Sequence, residues 1–366
     1  MDAHNSSTRE RILKMRDVRI SFNTANGVVH AVRGVNLDVY RGETVAIVGE
    51  SGSGKSVTVK QVMGIRSHNE VIEGGSAEFI YTDEKGERRI VDLISLSDGE
   101  MTKLKGNHIA MVFQDPLTSL DPTMTIERQL AEGITYHQHL VGKALHERCV
   151  ELLDLVGITD VEARLKSYPH QLSGGMRQRV VIAIALSCNP ELLICDEPTT
   201  ALDVTIQARI LELILEIQRK THVAVIFITH NLGVVAKVAD YVNVMYAGKI
   251  VEAGTSEDIF FDPRHPYTWG LLSSMPSVLS KTEARLYTIK GNPPNMLNEI
   301  VGDAFAPRNP FALEIDFEKE PPCFDVNNHH WAATWLLDGR APKIEMPEQL
   351  RVRIAQLKGS EDIGYE

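Results

Sequence analysis

An apolar run rich in β-branched residues, Thr44-Val45-Ala46-Ile47-Val48, breaks into Gly49-Glu50-Ser51-Gly52-Ser53-Gly54-Lys55-Ser56 and resumes as Val57-Thr58-Val59-Lys60-Gln61-Val62-Met63. No other stretch restricts the fold so tightly. The loop fits the pattern G-x-x-x-x-G-K-[ST], flanked by a strand and a helix in the required order. In that pattern the glycines let backbone N–H groups close around phosphate oxygens. The Lys55 ammonium reaches the outer phosphates, and the Ser56 hydroxyl can ligate magnesium. The loop therefore predicts an α/β core organised around a phosphate site.

The 366 residues leave room for two or three domains with cores of their own. A formal net charge of -11 argues against a general nucleic-acid binder, whose affinity rests on neutralising phosphates. Apolar runs such as Val180-Val181-Ile182-Ala183-Ile184-Ala185-Leu186 fall far short of the roughly 20 residues that cross a bilayer. The start, Met1-Asp2-Ala3-His4-Asn5-Ser6-Ser7-Thr8, has no apolar leader, so a cytoplasmic chain is expected. Cys149, Cys188, Cys195 and Cys323 form no CxxC pair and read as small core residues in a reducing compartment.

Along the chain, Val18-Arg19-Ile20-Ser21-Phe22 and Val28-Val29-His30-Ala31-Val32 alternate about Ala25-Asn26-Gly27, which predicts an antiparallel pair. Phe22 suits either the core or stacking on a base, and its spacing favours the core. Ile72-Glu73-Gly74-Gly75-Ser76 and Asp83-Glu84-Lys85-Gly86-Glu87 read as turns around a further hairpin. The buried strand Ile109-Ala110-Met111-Val112-Phe113 runs into Gln114, where ligands of open α/β sheets sit. Between residues 125 and 169 the period turns helical, with Cys149, Leu152, Leu153 and Val156 on one face and Gly157 as a stop.

Leu172-Ser173-Gly174-Gly175-Met176 opens an apolar helix whose free N–H groups make a second candidate anion site. Leu192-Leu193-Ile194-Cys195-Asp196-Glu197 is a buried strand ending in two acids, which calls for a cation beside them. After a P-loop, such an Asp holds Mg²⁺ and the second acid positions a water. Ala201-Leu202-Asp203 caps a helix whose apolar face is Ile206, Ile210, Leu213, Ile214 and Ile217. Val223-Ala224-Val225-Ile226-Phe227-Ile228 then ends in Thr229-His230, which places His230 at the same sheet edge as Gln114 and Glu197. A hairpin is expected about Ala247-Gly248. Past Phe261-Asp262-Pro263 the chain becomes proline-rich, which sets a boundary near residue 262. His329 and His330 beside Trp331 have no partner at metal-ligand spacing.

In this order the segments resemble the ATPase subunits of ABC transporters over roughly residues 12 to 262. Gly49 to Ser56 is similar to the Walker A loop, Gln114 to the Q-loop glutamine, and Leu172 to Met176 to the signature motif, with Met176 where Gln is commonest. Asp196 and Glu197 resemble Walker B with its catalytic acid, Ala201 to Asp203 the D-loop, and His230 the switch histidine. Asn231 follows it where Asp is more usual. The resemblance implies an α/β P-loop NTPase fold, with a RecA-like core, an antiparallel β subdomain and a helical subdomain over about 115–175. It implies ATP bound by Gly49, Glu50, Ser51, Gly52, Ser53, Gly54, Lys55, Ser56, Val57, Gln114, Asp196 and His230. Phe22 would lie on the adenine, against the core placement that its spacing favours. Mg²⁺ would be held by Ser56, Gln114 and Asp196, and catalysis carried by Glu197, His230 and Gln114. Ser173, Gly174, Gly175 and Asp203 would act in trans on the nucleotide of a second subunit.

Arg264-His265-Pro266-Tyr267-Thr268, Gly291-Asn292-Pro293-Pro294 and Phe305-Ala306-Pro307-Arg308 resemble the C-terminal extension of oligopeptide and dipeptide importer ATPases, here 263–366. Many of those ATPases hold an iron-sulfur cluster on four cysteines. The matching positions here are Asp303, Asn309, Asp316 and the Ala332-Ala333 pair, so no cluster is expected. The extension is expected to fold instead around Phe305, Phe311, Leu313, Ile315, Phe317, Trp331 and Trp335. The resemblance implies ATP-driven import of oligopeptides or dipeptides, by a peripheral subunit on the cytoplasmic face of the cell membrane. Its implied partners are a related but different ATPase chain, two transmembrane permease subunits and, through the complex, an extracellular peptide-binding protein, with residues 115–120 as docking surface. A soluble ABC ATPase of DNA repair or translation would show long coiled coils or two cassettes. A non-catalytic module is opposed by Lys55, Asp196, Glu197 and His230. The identity of the carried peptides is not written in this chain.

Overall fold

The computed structural model describes residues 9–114, 116–200, 202–275 and 289–361; Asp115, Ala201 and the first eight residues lie outside the described residues. Two sheets face each other. The smaller is antiparallel, in the order β2-β1-β4-β5, from β1 (Arg11–Thr24), β2 (Gly27–Tyr40), β4 (Glu70–Thr82) and β5 (Arg88–Asp92). The two-residue turn Ala25-Asn26 joins β1 to β2, with Thr24 opposite Gly27.

The central sheet holds β3 (Thr44–Val48), β6 (Ile109–Val112), β7 (Leu192–Asp196), β8 (Ala224–Thr229) and β9 (Tyr241–Tyr246), with neighbours parallel in the order β9-β3-β8-β7-β6. Near-continuous apolar runs suit a parallel sheet covered on both faces, and alternate residues of these strands enter different cores. Val45, Ile47, Ile109, Met111, Leu192, Ile194, Ile226 and Ile228 pack under the antiparallel sheet. Ala110, Val112, Leu193, Cys195, Val225 and Phe227 meet the helices Ile126–Gln138, Gly142–Leu155, Gly174–Ala185 and Val204–Thr221. Ala46, Val48, Val242 and Val244 join a third core with Tyr267, Trp269, Leu272 and Phe305 from beyond residue 262.

One expected turn is absent. Ile72 to Ser76 lies inside β4, which runs unbroken from Glu70 to Thr82. Its glycines serve a bulge: the register against β1 slips between Arg16 and Arg19, and Gly75 sits at φ 98°. A Cβ on Gly75 would stand 2.6 Å from Asp17 O and from Val18 Cα, so the close backbone approach requires glycine.

Beyond residue 262 the chain returns to the central sheet. After the helix Pro266–Ser273, the short strands β11 (Phe324–Asp325) and β12 (Trp331–Ala332) pair with each other, and β12 adds to the free edge of β10 (Lys249–Thr255). Phe305 is buried and Phe311 packs edge-on to Trp269, whereas Phe317 is 53% exposed and is not part of the core expected of it. Phe317 ends the short 3-10 helix Glu314–Phe317, in which Asp316 is the buried residue. Among the described residues no helix is long and apolar enough to cross a membrane.

Candidate functional site

At the carboxyl ends of β3, β6, β7 and β8 the structure gathers two hydrogen-bonded groups. In the first, Lys55 Nζ donates to Gly49 O and to Glu50 O, each at 2.8 Å, so the loop curls around its own lysine. Burial holds the ammonium below its ordinary pKa. Gly49 has φ 151°, and a Cβ there would collide with Met245 O at 2.0 Å. The Ser56 hydroxyl donates to Asp196 Oδ1 at 2.9 Å, and burial raises the Asp196 carboxyl above the usual range. A hydroxyl and a carboxylate side by side are hard oxygen donors of the kind Mg²⁺ takes. Ser51 and Gly52 face solvent, while the Ser53 hydroxyl is buried with no partner among the described residues and Val57 is half-buried at the helix start.

Glu197 centres the second group. Its Oε2 accepts from Gln114 Nε2 at 3.2 Å and from Thr200 Oγ1 at 3.0 Å, and its Oε1 lies 3.1 Å from His230 Nδ1. The residue itself sits at φ 48°, a left-handed conformation that costs a non-glycine residue energy and recurs at functional positions. Thr200 was not singled out by its sequence; its only signal is its place three residues after Glu197.

Ser173, Gly174, Gly175 and Asp203 form a third group. Ser173 Oγ accepts the Met176 N–H at 3.3 Å and Asp203 Oδ1 the Ile206 N–H at 3.0 Å, so both act as N-caps. A Cβ on Gly175 would come within 2.9 Å of Ile206, which sets the two helix starts side by side. Phe22 is half-buried against the core beneath the antiparallel sheet, paired with Val29 on β2 and Glu70 on β4.

In the extension, Asp303, Asn309 and Asp316 are buried, and each carboxylate or amide oxygen accepts a backbone N–H, from Phe305 at 2.9 Å, Phe311 at 3.0 Å and Leu313 at 2.6 Å. These hard oxygens are turned into local turns and do not suit iron-sulfur ligation, which wants thiolates. His330 is buried with Nε2 at 2.8 Å from Glu252, and His329 is exposed.

Residues 32–200 match the family model described as ABC transporter, and residues 251–315 match the one described as oligopeptide/dipeptide transporter, C-terminal region. The chain is 51% identical over 354 residues to the oligopeptide transport ATP-binding protein OppD of Bacillus subtilis (strain 168), covering 95% of each chain. It is 53% identical over 345 residues to the dipeptide transport ATP-binding protein DppD of Lactococcus lactis subsp. cremoris (strain MG1363), covering 94% of this chain and 96% of that one. Among solved structures, the dimeric structure of MJ0796, a bacterial ABC transporter cassette, is similar at a TM-score of 0.57 and 26% identity, over 67% of this chain and 99% of that one.

Proposed function

The chain belongs to the ATP-binding subunits of oligopeptide and dipeptide ABC transporters, and we propose that the two hydrogen-bonded groups at its sheet edge are where it binds and hydrolyses the ATP that powers import. The observation that carries this is the meeting of Gln114, Glu197 and His230 beside the loop of Lys55. Lys55, exchanging two carbonyl partners for phosphate oxygens, neutralises charge. The buried Ser53 hydroxyl and the free N–H groups at the start of the helix Lys55–Val62 line the same cradle. Glu197, held from three sides, orients the attacking water. A carboxylate suffices because phosphoryl transfer depends on positioning more than on strong base catalysis. His230 faces the γ-phosphate, and Phe22 stacks on the adenine. Ser56 and Asp196, with Gln114, would hold Mg²⁺, which would supply positive charge against the phosphates.

The nucleotide is completed in trans by Ser173, Gly174, Gly175 and Asp203 of a second ATPase, a reading supported by the dimeric form of the related cassette. We infer that this second chain is a related but different subunit. The pair docks on two permease subunits at the cytoplasmic face of the membrane, around residues 115–120, and a peptide-binding protein delivers substrate outside. The ATPase domain is taken as 12–262 and the extension as 263–366, without an iron-sulfur cluster, as the oxygen donors at Asp303, Asn309 and Asp316 favour.

Glu197→Gln in the assembled transporter tests the assignment. Shape and hydrogen bonding persist, so ATP affinity should stay, while hydrolysis and uptake of labelled peptide fall by at least about 100-fold. Normal turnover would refute it.

A further inference from the structure

The phosphate loop is held from outside the ATPase domain, and Glu50 is the point of attachment. Its carbonyl oxygen takes one of the two Lys55 bonds at 2.8 Å, and its backbone N–H donates to Tyr267 Oη at 2.8 Å. Its carboxylate receives a two-point bond from Arg308, Nη1 to Oε2 at 2.6 Å and Nη2 to Oε1 at 3.0 Å. Tyr267 and Arg308 both lie past residue 262. Arg308 is braced in turn: Nε donates to Lys290 O at 3.0 Å and Nη1 also to Tyr246 Oη at 3.2 Å, with the guanidinium 5.7 Å from the Tyr246 ring centre. The Arg308 side chain is 5% exposed and that of Glu50 27%, so this pair is screened less than a surface ion pair. A planar fork on a carboxylate fixes direction as well as distance.

The same segment meets the loop elsewhere. Pro293, Pro294 and Met296 line a small cleft with Glu50, Ser51, Gly52 and Ser53, and Met296 O accepts from His30 N–H on β2 at 3.1 Å. The extension thus spans from the phosphate loop to the hairpin that carries Phe22.

We propose that Arg308 is a positioning residue for the ATP site: by fixing Glu50 it sets the carbonyl that aims Lys55, so that the C-terminal extension tunes nucleotide affinity. This rests on Lys55 being the phosphate-binding lysine. Arg308 touches no reacting atom in this account. Losing it frees the Glu50 carboxylate beside the incoming phosphates and leaves Lys55 with a mobile acceptor, so the effect falls on binding.

The test is a titration of the complete transporter with a fluorescent ATP analogue, alongside steady-state hydrolysis. Arg308→Gln should raise Kd and KM for ATP about tenfold with kcat within about twofold. Arg308→Lys, with one donor in place of the fork, should recover part of the loss. In a Glu50→Ala background, Arg308→Gln should change Kd by less than about twofold, because the two act through one contact. An unchanged Kd for Arg308→Gln, equal losses in both backgrounds, or a fall in kcat at constant KM overturns the proposal. If Arg308→Gln does not assemble, Glu50→Ala removes the acceptor from the loop side, and unchanged affinity there overturns it equally. Lys55→Ala is measured in parallel. Retained affinity in that variant sinks the reading of Lys55 together with the proposal, whereas lost affinity with normal Arg308 variants sinks the proposal alone.

Discussion

Glu43, at the entry to β3, is held in a place that suits its neutral form. Its carboxylate accepts the Tyr40 N–H at 3.1 Å, but burial outweighs that bond and, with Asp240 nearby, pushes its pKa up from 4.5 to about 7. A raised acid binds its proton more tightly folded than unfolded. Its favourable contribution is therefore complete below about pH 4.5 and is lost as pH rises through 7. Glu43→Gln, which keeps the acceptor and removes the charge, should raise Tm at pH 8 and give no gain at pH 5. An equal offset at both values, in melting curves of the purified chain, would show that the side chain does not titrate in this way. The residue types of the proposed ATP site are legible along the chain, but such environments are not. Gln114, Glu197 and His230 could be aligned from strand ends, whereas the left-handed φ of Glu197, the Thr200 hydroxyl on its carboxylate and the grip of Arg308 on Glu50 depend on which loops fold against each other.

Among the elements, β10 joins the two parts of the chain through one side chain. Glu252 is fully buried and accepts from Arg264 N–H at 2.6 Å, His265 N–H at 3.1 Å and the ring of His330 at 2.8 Å. It thereby fixes both the entrance to the helix Pro266–Ser273 and the strand β12 that lies between β10 and β11. Glu252→Ala would leave two backbone donors and an imidazole without an acceptor, a loss of about 3–5 kcal/mol when a buried pair is broken from one side. Melting should fall by on the order of 10 °C, and a Tm within about 2 °C of the parent protein would refute the staple. Elements with strict patterns were legible: the apolar strands of the central sheet, the hairpin about Ala247-Gly248, and the helix face of Ile210, Leu213, Ile214 and Ile217. The Gly74-Gly75 pair was misread because a bulge and a turn both ask for glycine. What distinguishes them is the partner strand, which a local pattern does not contain. His330 likewise gave no partner by spacing, since its acceptor lies 78 positions away.

At the scale of the whole molecule, the proposed function gives one chain two halves of different sites. Lys55, Ser56, Asp196 and Glu197 would face one nucleotide, while Ser173, Gly174, Gly175 and Asp203 lie together as helix starts whose own caps leave other N–H groups open to an anion. If those helix starts close over the nucleotide of a partner subunit, binding and hydrolysis separate in a defined way. Ser173→Arg places a long cation where that closure occurs but leaves the chain's own phosphate loop untouched. Its ATP affinity should stay within about twofold of the parent, because distant sites behave additively. Hydrolysis at the partner's nucleotide should fall to background. The isolated chain at high dilution should bind ATP and scarcely hydrolyse it, and activity should appear when the second ATPase is added, rising with concentration until assembly saturates. Mixing Ser173→Arg with Lys55→Ala separates the two possible partners. Recovery of hydrolysis in that mixture alone would mean that this chain pairs with itself, against the expectation of a different subunit. Strong hydrolysis by the dilute monomer, or an Arg variant that loses its own ATP, would end the head-to-tail arrangement altogether, since the Ser173 segment would then serve the nucleotide of its own chain.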